Sequence, residues 1–482
     1  MFAALLAWGV SSPMGSSPDD DYHLASIWCG LGQRDGLCET STHKGQMVVP
    51  KALIESPHCY ATRNTEAGDC DLPDASVMVS TTRGNFQGIY PPGFYAVMGV
   101  FASPNLTVSL LVMRAINAFL YVALLTLAVL LIPRQDRGSP VWAAVVTTVP
   151  LAAFIIPSVN PSSWAITSAS VVWVAFTAYF RVADRRRAVG LGLLGAAAFL
   201  MGAFARADAA FYGIAAIAIA FLLSLPTRGA GLRWRRLILP LVLAVIGSVT
   251  YFSSGQTGVA TGEIVGQSRL SVFAQLYVNI VRLPELWAGS LGTNGLGWLD
   301  TPMSALVWFP AVGAFCAVVF SGLRNVNGGR LVSLAILGAL LVALPLYILG
   351  RSHLGIGDLI QPRYLLPLLI ILAGVALYQH KGLSAGLSRE QMLIVAVGLA
   401  IANSWALHTN LRRYVTGLDD QALNLNAHSE WWWNWAVGPM EVWILGSVAF
   451  TAFLSILYLA SRRDDHRDRA EPTPPVGNAV LG

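Results

Sequence analysis

The chain has 482 residues, 55% of them hydrophobic and only 12% charged. A soluble globular domain carries about twice that charge, so the composition excludes an ordinary soluble enzyme and makes lipid the solvent for most of this protein. The formal net charge of +5 is not a nucleic-acid signature, because the basic residues fall in short loops between apolar runs.

Apolar runs long enough to cross a bilayer recur along the chain and predict an all-α polytopic membrane protein of about twelve transmembrane helices. In chain order the expected spans are 1–14, 106–132, 140–158, 162–180, 188–205, 209–225, 237–253, 303–321, 331–349, 365–379, 391–409 and 440–460. The first is short for a crossing and lacks a basic flank and a cleavage site. It is read as a shortened helix or as the remainder of one whose true start lies upstream. Residues 15–105 make a long polar loop, 106–253 hold helices two to seven, and 254–301 make a second long loop. Residues 302–460 hold helices eight to twelve, with a Trp-rich loop at 410–439, and the tail 461–482 is expected to be disordered. Most of the 31 lysines and arginines fall on one alternate set of short connections. That is the positive-inside pattern, and it predicts cytoplasmic termini and long loops outside a bacterial plasma membrane.

Loop 15–105 contains Cys29, Cys38, Cys59 and Cys70. Clustered cysteines in an exported loop favour disulfides, and pairing in sequence order is the simplest of three connectivities. A metal site is the competing reading, although C-x-x-C pairs are absent. In loop 254–301, Phe273, Leu276, Tyr277, Ile280 and Val281 recur at helical spacing opposite Gln275, Asn279 and Arg282. That pattern fits a helix in the membrane interface or one packed on its own protein. Trp431, Trp432, Trp433 and Trp435 fit an interfacial belt, with sugar stacking as the alternative.

The chemistry-bearing stretch is Pro18-Asp19-Asp20-Asp21-Tyr22-His23, just after the first span. Adjacent carboxylates repel and raise at least one pKa unless a cation intervenes. Such a group can act as a general base, hold a divalent ion such as Mg or Mn, or simply cap a helix. Arginines form the second set. Arg114 and Asn117 lie one turn apart inside a span, where a charge is costly and usually faces a cavity or a partner. Arg206 and Asp208 make a tight turn, and Arg351, His353 and Asp358 precede Gln361-Pro362-Arg363-Tyr364. Each arginine alone could snorkel to headgroups; several beside a carboxylate would suit a phosphate, which guanidinium binds bidentately. A lipid-phosphate-linked substrate meets both demands.

Pro18-Asp19-Asp20 with His23 resembles the Pro-Asp-Glu…His motif of a group of bacterial polytopic membrane proteins classed with the GT-C glycosyltransferases. Tyr90-Pro91-Pro92-Gly93-Phe94-Tyr95, Asn160-Pro161 and Gln361-Pro362-Arg363-Tyr364-Leu365-Leu366-Pro367 resemble three further signatures, spread over most of the chain. The departures are Asp20 for Glu, Asp21 for Pro, and Pro362 for Gly. The resemblance implies a GT-C-like fold that transfers a sugar from a polyprenyl-phosphate donor, with inversion, to a cell-envelope glycan or lipid acceptor. It implies Asp19, or next Asp20, as the base. Arg363, Arg206, Arg351 and Arg114 are then expected to bind the donor phosphate. Asp21, His23, Tyr90, Gln361, Tyr364, Asp208 and His353 are expected to line the substrate. Composition hints at an actinobacterial source and a decaprenyl carrier. The rival readings are a transporter or flippase of lipid-linked precursors, which would place charges at mid-membrane, and a non-catalytic scaffold.

Overall fold

The computed structural model describes residues 1–225, 234–256, 258, 270–358 and 360–470. Ten helices among them are long and apolar enough to cross a membrane. Two expected spans are shorter: α1 is Phe2–Val10, and the span expected at 365–379 is a 16-residue helix, Pro362–Leu377. The chain is a polytopic helical membrane protein.

Loop 15–105 of this expected all-α protein also contains a small sheet. It begins with α2 (Asp20–Trp28), then β1 (Glu39–Thr40), β2 (Met47–Pro50), α3 (Lys51–Glu55), β3 (Met78–Thr81) and α4 (Gly93–Gly99). The three strands are antiparallel in the order β1-β2-β3, with Met47 opposite both Thr40 and Thr81. Strands this short give no periodicity in the sequence. Disulfides join Cys29 to Cys38 and Cys59 to Cys70, the expected sequential pairing.

The membrane helices follow as α5 (Leu106–Leu131), α6 (Gly138–Thr147), α7 (Ala153–Ile155), α8 (Ser162–Arg181), α9 (Arg185–Ala203), α10 (Ala207–Ser224) and α11 (Ile238–Ser253). After them come α12 (Val272–Ala288), α13 (Ala305–Gly322), α14 (Gly328–Ser352), α15 (Pro362–Leu377), α16 (Arg389–Val415) and α17 (Pro439–Ala470). Local chemistry sets several starts. Asn105, Asp184 and Asn327 accept backbone N–H bonds at the N-termini of α5, α9 and α14. Ser388 and Gln391 form a capping box on α16. α6 and α7 belong to one crossing, Arg134–Ile155, broken around Val149 and Pro150, where proline removes a helix donor.

That crossing, α8 and α15 are buried nearly throughout and form the centre. Gly374 of α15 lets the helices approach: a Cβ there would lie 2.2 Å from the Trp173 ring of α8. The surrounding helices turn large apolar side chains outward, among them Phe252, Phe309, Phe320, Ile394 and Ile456. A soluble fold would bury these; in a membrane protein lipid covers them.

α12 presents Phe273, Tyr277 and Val281 outward and buries Gln275 and Asn279, the polarity expected of an interfacial helix. Parts of loop 254–301 and the end of the tail, residues 471–482, lie outside the described residues. The start of the expected tail is instead helical, because α17 continues to Ala470. The tryptophan cluster also differs from a simple belt. Trp433 is buried and its Nε1 donates to the Val10 carbonyl, so it packs on the end of α1.

Candidate functional site

The segment joining α1 to α2 is clamped before any functional side chain is placed. Arg114 Nη1 donates to the carbonyls of Gly9 (2.7 Å) and Ser12 (2.6 Å), and its Nη2 to that of Pro13 (2.8 Å). Asn410 Nδ2 donates to Ser11 and Ser12, Trp298 Nε1 to the Gly15 carbonyl, and Asn160 Nδ2 to the Pro18 carbonyl. Residues distant in sequence therefore fix the backbone that carries the acidic motif.

The three aspartates then diverge. Asp19 stands at the N-cap position of α2 with φ 60°, left-handed, and its side chain makes no cap bond. Aspartate is among the few residues that tolerate this conformation. Asp19 Oδ2 accepts from Arg363 Nη2 at 3.0 Å, and Oδ1 accepts from Arg83 Nη2 at 3.3 Å. Arg83 also binds Asp21 through Nε (2.7 Å) and Nη2 (2.9 Å). Asp20 turns the other way. It is wholly buried and accepts from Ser17 Oγ (2.8 Å) and Ser17 N (3.2 Å).

Three expectations are corrected here. Asp20 is not a second base at the Asp19 site; it locks the turn before α2 and faces the charge of Arg114. Arg114 is not a phosphate ligand, because backbone carbonyls occupy its donors. The three aspartates do not converge as one ligand set: Asp20 turns to Ser17, and the Arg83 guanidinium, a cation, bridges Asp19 and Asp21. Among the described residues no group of three or more His, Cys, Asp or Glu side chains could hold a metal ion.

Arg363 opens α15. Pro362 at the first turn suits a helix N-terminus, where its missing N–H costs nothing and its φ is preset; this accounts for proline where the resembling motif has glycine. Arg363 is 4% exposed, and its Nε and Nη1 are buried without a partner among the described residues. Unpaired buried guanidinium donors are costly unless a ligand or water completes them. A cavity of about 10 Å³ beside it, bordered by Pro18, Gly297 and Gln361, has the capacity of about one water.

The Tyr364 ring lies near two guanidinium groups, Arg206 at 4.6 Å and Arg363 at 5.0 Å from its centroid, and its hydroxyl accepts from Arg363 Nη2 at 3.0 Å. Arg206 is held bidentately by Asp208 at 2.8 and 2.7 Å, in the first turn of α10 where an acid suits the helix dipole. His23 is packed by Tyr90 and Tyr95, and its Nδ1 is 3.0 Å from the Tyr95 hydroxyl. Arg351 and His353 end α14, where Arg351 is exposed and His353 adopts a left-handed C-cap. The contacts that hold Asp19 come from Arg83 and Arg363 instead.

A cleft of about 250 Å³ opens beside this cluster. Tyr90, Arg206, Asp208, Gln256 and Tyr364 form its polar end, and Phe211, Tyr251, Leu344, Ile348 and Leu365 its apolar wall between α10, α11, α14 and α15. It suits an amphiphile with a polar head and an apolar chain.

Electrostatics separates the carboxylates. Burial acts to raise the Asp19 pKa, but the Arg363 and Arg83 guanidinium groups outweigh it and hold the carboxyl below its usual value. Burial raises Asp20 to about 6 against the pull of Arg114. Burial pushes His23 down to about 3, so its ring is neutral at physiological pH. Asp19 thus remains an ionised carboxylate, 38% exposed at its side chain.

Arg83 has no signal in the sequence. It follows β3 by two residues, and only the fold of the small sheet brings it to the acidic motif.

The fold and cluster together define a polytopic helical membrane protein whose charged groups converge beside a disulfide-stapled loop. The chain belongs to the family described as predicted membrane protein, DUF2142, whose model matches residues 2–372. All the arginines and aspartates of the cluster lie within the matched residues. No curated protein matches the chain.

Proposed function

We propose that this protein is a membrane glycosyltransferase of GT-C type, transferring a sugar from a polyprenyl-phosphate donor to a cell-envelope glycan or lipid acceptor. The observation that carries the reading is the 3.0 Å pairing of Asp19 with Arg363 across 344 residues of chain, beside an amphipathic cleft. On this reading the site faces the outside of the bacterial plasma membrane and both termini lie in the cytoplasm, as the loop charges suggest.

The donor phosphate engages the Nη1–Nη2 edge of Arg363, filling the unpartnered Nη1 and taking Nη2 from Asp19, and the polyprenyl chain follows the apolar wall of the cleft. Asp19 takes the proton of the acceptor hydroxyl while that oxygen attacks the anomeric carbon. The new C–O bond forms as the anomeric bond to the phosphate oxygen breaks. The bonding electrons leave with the phosphate, and Arg363 neutralises charge that grows in the transition state. Binding also draws Arg363 away from Asp19, which raises the basicity of the carboxylate when a base is needed. Arg206, paired with Asp208, supports the site through Tyr364 rather than by offering free donors.

Asp19→Asn should reduce sugar transfer by about a hundredfold or more while expression and melting temperature stay near wild type. The measurement is radiolabelled-sugar transfer in reconstituted vesicles. Full activity in that variant would sink the assignment, and lipid movement without transfer would favour a flippase.

A further inference from the structure

The two oxygens of Asp19 are held by different arginines in different ways. Arg363 holds Oδ2 from a buried position and has two donors without partners among the described residues. Arg83 holds Oδ1, and its own orientation is fixed by both oxygens of Asp21 and by the Tyr22 ring 5.5 Å away. A bidentate carboxylate sets the plane of a guanidinium. Asp21 sits in the first turn of α2, two residues after the cap residue Asp19. An anion arriving at Arg363 competes with Asp19 Oδ2, whereas the paired edge of Arg83 is already filled.

We propose that Asp21 and Arg83 form a tether that keeps Asp19 in place by Oδ1 after a lipid phosphate has taken Arg363 from Oδ2, making Arg83 a positioning residue. The proposal rests on the reading of Arg363 as the phosphate-binding residue. Without the tether, Asp19 would face an anionic phosphate with no cation at either oxygen, and its affinity for a proton would rise steeply. It would also lose the contact that aims its carboxylate from a left-handed cap. The tether leaves Oδ2 as the oxygen free to accept a proton.

The test uses the full chain in nanodiscs, with decaprenyl phosphate as the probe and phosphate-free decaprenol as the control. Calorimetry in two buffers of different ionisation heat, repeated across pH, gives affinity and protons taken up per lipid. The free lipid's titration is common to all variants, and the same series on an Asp19→Asn background subtracts the bound phosphate, so the remaining difference reports Asp19. Wild type should bind decaprenyl phosphate and not decaprenol. Arg83→Gln should bind as well, with its proton-uptake midpoint raised by about one pH unit or more, equivalent to about tenfold in proton affinity. Asp21→Asn should move it in the same direction by less, and Arg83→Lys should return it part of the way, restoring charge without the fork. A merely structural role would change melting temperature and leave the midpoint alone. Equal midpoints with intact binding overturn the tether and leave the phosphate reading standing. Failure of wild type to bind decaprenyl phosphate overturns the phosphate reading and the tether with it. If Arg83→Gln does not fold, the Asp21→Asn midpoint decides.

Discussion

At the scale of single residues, the acidic motif divides its labour by direction. Asp19 is ionised and accessible, Asp20 is buried with a raised pKa, and Asp21 anchors Arg83. The Asp20 shift has a definite sign. Its folded value of about 6 lies above the ordinary value of about 4, so the folded state binds the proton more tightly. The resulting stabilisation is fully present below about pH 4 and is lost as pH rises through about 6, on the order of 2–3 kcal/mol. The melting temperature should therefore fall between pH 4 and pH 7 in wild type, and Asp20→Asn should flatten that slope; an unchanged slope would show that Asp20 does not titrate there. Arg114→Ala should destabilise by about 3–5 kcal/mol, because it strands the carbonyls of Gly9, Ser12 and Pro13 and a buried carboxyl. Chemical denaturation measures that loss, and a loss below about 1 kcal/mol would contradict the clamp. The sequence carried the meeting of Asp19 and Arg363, since a carboxylate and a guanidinium at helix ends suit a shared phosphate site. It carried no direction for the three side chains, which the left-handed backbone at Asp19 decides.

At the scale of elements, the membrane helices were legible because apolar runs of span length have few other solutions. Ten of the expected spans appear as long helices, and the remaining two as α1 and α15. Shortness has a role in both: α1 ends where the clamped turn begins, and α15 begins at Arg363. The small sheet was illegible because its strands span two to four residues and pair through long loops. Its contribution is to deliver Arg83. The Cys29–Cys38 disulfide ties the C-cap of α2, so it stabilises the helix whose other end carries Asp19. Closing a loop of separation 9 stabilises by about 3 kcal/mol. Replacing both cysteines with serine should increase hydrogen exchange across residues 20–40, with α8 unchanged; unchanged exchange in α2 would show that packing alone holds the helix. The buried Gln275 and Asn279 of α12 bind the Leu354 carbonyl, joining a helix with an uncovered apolar face to the segment that leads into Arg363.

At the scale of the molecule, a buried central layer holds one rim rigid, and a disulfide-stapled loop folds over that rim. Residues from α2, α10, α15 and the loop after β3 meet there, though their sequence positions span most of the chain. A cleft with a polar head and an apolar wall adjoins them. The central claim is that this is one site for a lipid phosphate, with Arg363 receiving the charge and Asp19 standing beside it. The most direct test is a cryo-EM structure of the chain in nanodiscs with decaprenyl phosphate. The account predicts phosphate oxygens within about 3 Å of Arg363 Nη1 and Nη2, Asp19 Oδ2 released, and the prenyl chain between α10 and α14. Phosphate bound elsewhere, with the Asp19–Arg363 pair intact and the cleft empty of lipid, would contradict it.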